Sequence, residues 1–181
     1  LHAQGRSFPV DIDYAPGRPE APVWVRAEHA LRRWLQTGKP GHILVFMPGS
    51  FEIRRCLEAF ASTAKQSEGG FDVFPLYGGL PPDQQDLAVA PGERRKVIVS
   101  TNVAETSITI DDVVHVVDTG RAREIRYNAA SGVASLSEVR VARAATTQRA
   151  GRAGRVKPGT CWHAYPEADL GVLPAHAAPE M

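Results

Sequence analysis

Two short runs, Lys96–Ser100 and Val113–Asp118, are valine-rich and almost continuously apolar, and His42–Met47 is a third run of the same kind. Strands that alternate apolar and polar residues bury one face. Strands that are apolar throughout must be covered on both faces, which is the signature of a parallel sheet between helical layers. The intervening segments fit. Val23–Gln36 carries Val23, Ala27, Ala30, Leu31, Trp34 and Leu35 at helical spacing, with Gly38 placed to end the helix. A helix is expected from after Pro48-Gly49-Ser50 to about Lys65, and a short one over Pro82–Ala88, where proline suits the first turn. Phe8–Tyr14, Phe71–Leu76 and Thr160–Tyr165 read as further strands. The expected class is α/β, a parallel sheet with helices on both faces. After Asp118 the pattern changes. Ala122–Tyr127 and Val133–Val139 flank the turn-rich stretch Asn128-Ala129-Ala130-Ser131-Gly132, which predicts an inserted β-hairpin over about 121–138.

The 181 residues suffice for one such domain, expected over 1–166, with 167–181 an Ala/Pro-rich tail leading to a following domain. The opening Leu1-His2-Ala3-Gln4-Gly5-Arg6 has no apolar leader core and no initiating methionine, so an excised piece of a larger cytoplasmic protein is expected. No apolar run reaches the ~18 residues of a membrane span. Cys56 and Cys161 are far apart and form no CxxC pair, so no metal site is expected.

Net charge is +1, but its distribution is uneven. Between Val139 and Pro166 there is no acidic residue, while Arg140, Arg143, Arg149, Arg152, Arg155 and Lys157 all fall there. That is a local anion site rather than a generally basic surface. If the helix expected from about Ala142 continues through Gln148-Arg-Ala-Gly-Arg-Ala-Gly-Arg155, then Gln148, Arg152 and Arg155 share one stripe, and Arg149 points about 100° away to brace the domain through an internal carboxylate. Gly151 and Gly154 would each cost about 1 kcal/mol inside a helix, a cost that close approach of an anion to the backbone would offset. Pro48-Gly49-Ser50, Tyr77-Gly78-Gly79 and Thr101–Ser107 follow three strands and are rich in small and hydroxyl residues. Together they mark the carboxyl edge of the sheet as a ligand edge. Two segments are decoys: Thr37-Gly38-Lys39-Pro40 follows a helix rather than a strand, and Asp112-Val113-Val114-His115 opens a strand instead of ending one. The chain therefore carries neither a Lys-bearing P-loop nor a Mg²⁺-holding acid of its own.

Gln148–Arg155 resembles motif VI of superfamily-two helicases in the form of the DEAH-box (DEAH/RHA) group. Thr101–Ile110 is similar to that group's motif V, Leu44–Gly49 with Glu52-Ile53 to motif IV, and Pro75–Leu80 to the segment between them. The stretch Val116–Gly120, followed by Tyr127-Asn128 and Gly132, resembles the hairpin inserted before motif VI. The similarity covers about Gly5 to Tyr165. The start Gly5–Val10 and the Pro48-Gly49 form of motif IV are most similar to the bacterial HrpB-type branch.

The resemblance implies a second RecA-like domain of an ATP-dependent helicase. ATP and Mg²⁺ would be held mainly by a preceding RecA-like domain, single-stranded RNA or another nucleic acid would be the track, and a winged-helix domain would follow. It implies that Arg152 and Arg155 are arginine fingers, that Gln148 contacts the γ-phosphate or attacking water, and that Gly151 lies at the phosphates. Asp111 would approach the ribose and Ser107 would relay nucleotide state. Gly49, Ser50, Thr101 and Asn102 would hold backbone phosphates, with hairpin residues Arg123 and Arg126 as further contacts. Val89 stands nearest to where eukaryotic relatives place a base-stacking aromatic, which implies weak base selectivity. The competing readings are a non-catalytic phosphate-binding α/β module and a degenerate domain kept for protein interaction.

Overall fold

Six parallel strands form one sheet in the order β1-β8-β5-β2-β4-β3, and β6 and β7 form a separate antiparallel ribbon. The computed structural model describes residues 7–17, 20–127 and 132–176. Gly5-Arg6, at the start of the family resemblance, and the hairpin turn Asn128-Ala129-Ala130-Ser131 lie outside the described residues. In chain order the elements are β1 Val10–Tyr14, α1 Val23–Leu35, β2 His42–Phe46, α2 Ser50–Gln66, β3 Asp72–Leu76, α3 Pro82–Val89, β4 Lys96–Ser100 and α4 Val103–Thr106. Then come β5 Val113–Asp118, β6 Arg121–Tyr127, β7 Ala134–Arg140, α5 Arg143–Gly151, a 3₁₀ turn Arg152–Gly154, β8 Gly159–His163 and a 3₁₀ turn Glu167–Val172.

The apolar runs do what their composition demands. Every residue of β4 and β5 is buried. Ile43, Val45, Met47, Val97, Val99 and Val117 face α1 and α2, while Leu44, Phe46, Ile98 and Val116 face Ala88, Ala104 and Ala150 of α3, α4 and α5. Period-two alternation thus divides each central strand between two cores. The edge strand β1 is less covered, with its Ile12 and the preceding Phe8 about two-fifths exposed. Both decoys resolve as expected. Thr37 Oγ1 donates to the Trp34 carbonyl at 2.7 Å and Gly38 takes φ +66°, so the Thr-Gly-Lys-Pro segment is the end of α1. Asp112 (φ +57°) precedes β5, and its carbonyl accepts from the His42 amide at 2.8 Å.

Residues 167–175 fold back onto the domain. Asp169 pairs with Arg140 at 3.1 Å and Leu173 is buried. The Pro174 and Ala175 carbonyls accept from the Arg143 and Ala144 amides (2.9 and 3.2 Å), satisfying helix-start donors that α5 has no side chain to cap.

One departure matters for function. The helix does not run through the arginine-glycine segment: α5 ends at Gly151 and tightens into the 3₁₀ turn. The two glycines also differ. A Cβ on Gly154 would lie 2.5 Å from the Phe8 carbonyl oxygen and 2.7 Å from Val10 Cγ2, whereas one on Gly151 would meet nothing within 4 Å. Packing against the first strand, not an anion, requires glycine at 154.

Arg149 is fully buried. Its Nη1 donates to Asp118 Oδ1 at 2.8 Å and to the Arg121 carbonyl at 3.2 Å, its Nε donates to Glu105 Oε2 at 3.0 Å, and its guanidinium lies 4.8 Å from the Phe46 ring centre. Asp118 also accepts from the Gly120 amide at 2.9 Å, and its Oδ2 sits 3.1 Å from His163 Nδ1. Burial by itself would raise the Asp118 carboxyl, but Arg149 and His163 outweigh it and hold the group at about 2.

Two predictions follow from the packing. Gly154→Ala should destabilise by about 1–3 kcal/mol through the enforced backbone shift, while Gly151→Ala should stabilise by about 0.5–1 kcal/mol. Urea unfolding of both variants should show opposite signs, and equal signs would contradict the packing described. Arg149→Met should cost about 3–5 kcal/mol at neutral pH, because it strands Asp118 as an unpaired buried charge. Asp118 has a depressed folded pKa, so its contribution is complete above the ordinary carboxylate value of 3.8 and is lost as pH falls toward about 2. Without Arg149, burial dominates and raises the Asp118 carboxyl, so protonation relieves the stranded charge and the variant's deficit relative to the wild type should shrink as pH falls from neutral toward the ordinary carboxylate range. A deficit that stays constant over that range in urea unfolding would refute the assignment.

Candidate functional site

Strands β2, β4 and β3 are neighbours, so the loops that follow them share the carboxyl edge of one sheet. They are also tied together. The Met47 amide donates to the Ser100 carbonyl (2.7 Å), while Ser100 Oγ and the Thr101 amide both donate to the Leu76 carbonyl (2.9 and 3.2 Å). Thr101 is half-buried, and Asn102 and Ser50 are exposed on this edge. Gly49 behaves differently from expectation. It is buried, and Arg123 from β6 lies over it, close enough that a Cβ would meet Nη1 at 2.9 Å. Arg123 is held there by Glu52, with Nη2 2.9 Å from Oε1. At Gly49 the edge therefore presents a guanidinium rather than bare backbone.

Thr101 opens a segment that crosses from this edge to the start of β5. It contains α4, then Ser107, exposed at the C-cap, and Asp111, exposed just before β5. α4 is only four residues long and leaves carbonyls without helical partners. Arg152 satisfies them. Its Nε donates to the Glu105 carbonyl at 3.0 Å, its Nη1 donates to the Ile108 carbonyl at 2.9 Å, and its Nη2 also bonds the Glu105 carbonyl. Arg152 is buried and does not share an exposed stripe with Gln148 and Arg155. The reason is the 3₁₀ turn, which breaks the 3.6-residue period on which that expectation rested. Burial first, and then the nearby charge of Arg155, press the Arg152 guanidinium below its ordinary range.

Gln148, Gly151 and Arg155 are exposed. Arg155 Nη1 donates to Thr109 Oγ1 at 3.1 Å, which places it beside the 107–111 segment. The structure thus gathers Gln148, Gly151, Arg152 and Arg155 on α5 and its 3₁₀ extension, against the segment bearing Ser107 and Asp111. Thr101, Asn102, Gly49 and Ser50 lie apart, at the carboxyl edge. Arg126 is exposed on the hairpin, away from both groups. Val89 ends α3 and packs against the core below the sheet.

This arrangement suits half of a phosphate site. An exposed amide and a guanidinium flank a glycine whose backbone is open to a close-approaching group, and a second guanidinium holds the adjoining loop. Such residues fit the phosphates of a nucleotide presented from outside. Among the described residues, no three His, Cys, Asp or Glu side chains gather as a metal-holding group. Among the same residues, no helix is long and apolar enough to cross a membrane.

The braces Glu105 and Glu52 carry no chemical signal in the sequence beyond their place in motifs V and IV. Each became recognisable only through its arginine.

The family model for the helicase conserved C-terminal domain matches residues 26–157. The ATP-dependent RNA helicase HrpA of Borreliella burgdorferi is 34% identical over 167 residues, covering 90% of this chain and 20% of that protein. The ATP-dependent RNA helicase DHX30 of Gallus gallus is 38% identical over 146 residues, covering 80% of this chain and 12% of that protein. Among solved structures, the Escherichia coli DEAH/RHA helicase HrpB superposes with a TM-score of 0.83 at 37% identity, over 97% of this chain and 22% of that one. A second E. coli HrpB structure, described as a DExH-box NTPase, gives 0.84 at 36% identity, over 97% of this chain and 21% of that one. The chain thus spans between about a tenth and a fifth of the length of these relatives. The fold is the RecA-like sheet that the sequence resemblance implied, with the β6–β7 ribbon inserted before α5. By its family match and by the HrpB-like fold it shares along nearly its whole length, the chain belongs to the helicase conserved C-terminal domain family, in the DEAH/RHA group.

Proposed function

We propose that this chain is the second motor lobe of an ATP-dependent RNA helicase. ATP and Mg²⁺ are held by a preceding RecA-like domain, and this lobe supplies groups that meet the nucleotide's phosphates across the cleft. The observation that carries the reading is the exposed set Gln148, Gly151 and Arg155, carried on a helix anchored by a fully buried arginine and packed against the motif V segment. Arg155 stabilises charge on the transferring phosphoryl group, and Gln148 contacts that group or orients the attacking water. Arg152 joins them from its place against the Glu105 and Ile108 carbonyls, where it holds the loop carrying Ser107 and Asp111 toward the nucleotide. Gly151 leaves room for the phosphates to approach the backbone.

Single-stranded RNA runs along the carboxyl edge. Ser50, Thr101 and Asn102 donate to its phosphates, and Arg123 covers Gly49 with a cation at the same edge. The hairpin bearing Arg126 guides or separates strands, and the chain beyond residue 166 leads toward a winged-helix domain. The RNA helicase activity named for the relatives from Borreliella burgdorferi and Gallus gallus supports this choice of track. Val89, a small aliphatic residue packed on the core, offers no ring for a base to stack on, so discrimination among nucleotides is weak.

In the full-length protein, Arg155→Ala should remove most ATP turnover, on the order of 10³-fold or more, with RNA affinity largely retained. Thr101→Ala should weaken RNA binding instead. The isolated chain should hydrolyse no ATP. Turnover by the isolated chain, or an Arg155→Ala enzyme with full activity, would refute the two-lobe reading. Turnover of ATP, GTP, CTP and UTP should be of similar size, and a large preference for one base would overturn the assignment at Val89.

A further inference from the structure

The carboxyl edge does not stop at β2. β5 is its next neighbour and β8 the one after, and between the ends of those two strands lies a cavity of about 220 Å³. It is lined by Arg26 of α1, Thr119 and Gly120 after β5, Arg121 and Arg140 at the root of the hairpin, and Tyr165 after β8. Asp169 is the acidic group on its wall. A cavity of this size is below the range for whole small-molecule ligands and suits a single charged group.

Its charge is not balanced from within. Arg121 and Arg140 stand directly opposite each other on the paired strands β6 and β7, a like-charge arrangement that destabilises a ribbon. Each has a carboxylate neighbour, Glu138 at 3.2 Å for Arg121 and Asp169 at 3.1 Å for Arg140; the first pair is more than a third exposed on both sides and contributes little, while Asp169 is buried, so two carboxylates stand against three guanidiniums. Arg26 has no carboxylate partner among the described residues. Its Nη1 donates to the Ala164 carbonyl, and its Nε is buried without a hydrogen-bond partner. Burial, and then the charge of Arg121, lower the Arg26 guanidinium from its ordinary range, and the charge of Glu138 only partly opposes them. Three planar guanidiniums held around one cavity against their mutual repulsion are arranged for an anion from outside, and phosphate is the anion their forked donors match.

We infer that the Arg26–Arg121–Arg140 cavity is a phosphate subsite for the nucleic-acid backbone, extending the track of the carboxyl edge from β4 and β2 past the hairpin root. The inference rests on the proposed reading of that edge as a nucleic-acid track. It assigns to the root of the hairpin a function separate from that of its tip: a strand leaving Thr101 and Ser50 is gripped by its phosphate as it passes beneath the ribbon.

The test uses full-length protein and a labelled single-stranded RNA, with affinity measured between about 50 and 200 mM salt. One phosphate contact contributes about 0.7 to the slope of log affinity against log salt, or about fivefold in affinity at 0.1 M salt. R121Q and R26Q/R121Q should both show a shallower slope, by about that amount in the double variant. R94Q removes the same charge next to β4's amino end and should leave the slope unchanged. Because Arg26 also holds the Ala164 carbonyl, R26Q can loosen the fold. R121Q alters a half-exposed group paired with Glu138, so it decides the matter if the double variant melts early. Neutral methylphosphonate linkages walked along the strand should reveal one position that weakens the wild type and not R26Q/R121Q.

An unchanged slope in R121Q and R26Q/R121Q, with Thr101→Ala still weakening binding, would overturn the subsite and leave the track standing. No effect from any of these variants would remove both. An equal change in R94Q would reduce the effect to general charge and overturn the subsite.

Discussion

The Arg149–Asp118 ion pair joins parts of the chain that nothing else joins so directly. Asp118 ends β5 in the middle of the sheet, and Arg149 comes from α5, which lies across the lower face. Through the same guanidinium, α4 is held by Glu105 and the start of the hairpin by the Arg121 carbonyl. An arginine can do this where a lysine cannot, because its fork offers donors in several fixed directions at once. The arrangement carries a large desolvation penalty, and a buried pair of this kind is poor evidence for stability as such. Its consequence is positional. With the guanidinium fixed, Gln148 and Arg155 face outward, and α4 cannot move independently of α5.

The remaining arginines divide according to what their backbone allows. Arg152 falls within the tightened turn, close to the carbonyls that a four-residue helix leaves open, and it satisfies them. Arg155, beyond the turn, is exposed and among the described residues bonds only the Thr109 hydroxyl. The two glycines fall under the same logic. Gly154 is required by contact with β1, while Gly151 is unconstrained by any neighbour. The backbone at 151 is thus open, and on the proposed function that opening faces the phosphates.

Most of the sheet was legible in the sequence because β4 and β5 are buried on both faces and therefore announce themselves as continuous apolar runs. The hairpin was legible because two β-prone runs flank a turn-rich stretch, and seven residues of one run pair with seven of the other. Arg149 as a brace was legible from its helical angle, since it points away from Gln148. Its partners were not: Glu105 and Asp118 are distant in sequence and meet it only through the parallel packing. The expectation that Arg152 shares an exposed stripe with Gln148 and Arg155 failed because helical periodicity was extended across a 3₁₀ turn, and nothing in Arg-Ala-Gly marks where an α-helix tightens. The cover that Arg123 gives Gly49 was not legible for a similar reason, since the guanidinium reaches it from another element. Local patterns reveal faces and periods, while contacts between elements require the fold.

The segment from Thr101 to Asp111 acquires its importance from these contacts. Its first residues stand on the carboxyl edge and its last lie beside Arg155, so it spans the two groups assigned to nucleic acid and to nucleotide. It is pinned to α5 at the Glu105 carboxylate by Arg149, and at the Glu105 and Ile108 carbonyls by Arg152. On the proposed function, the groups that meet the nucleotide and the groups that meet the RNA are therefore joined by one short stretch of chain, held to α5 by two arginines with different tasks: Arg149 binds its carboxylate, and Arg152 binds its carbonyls.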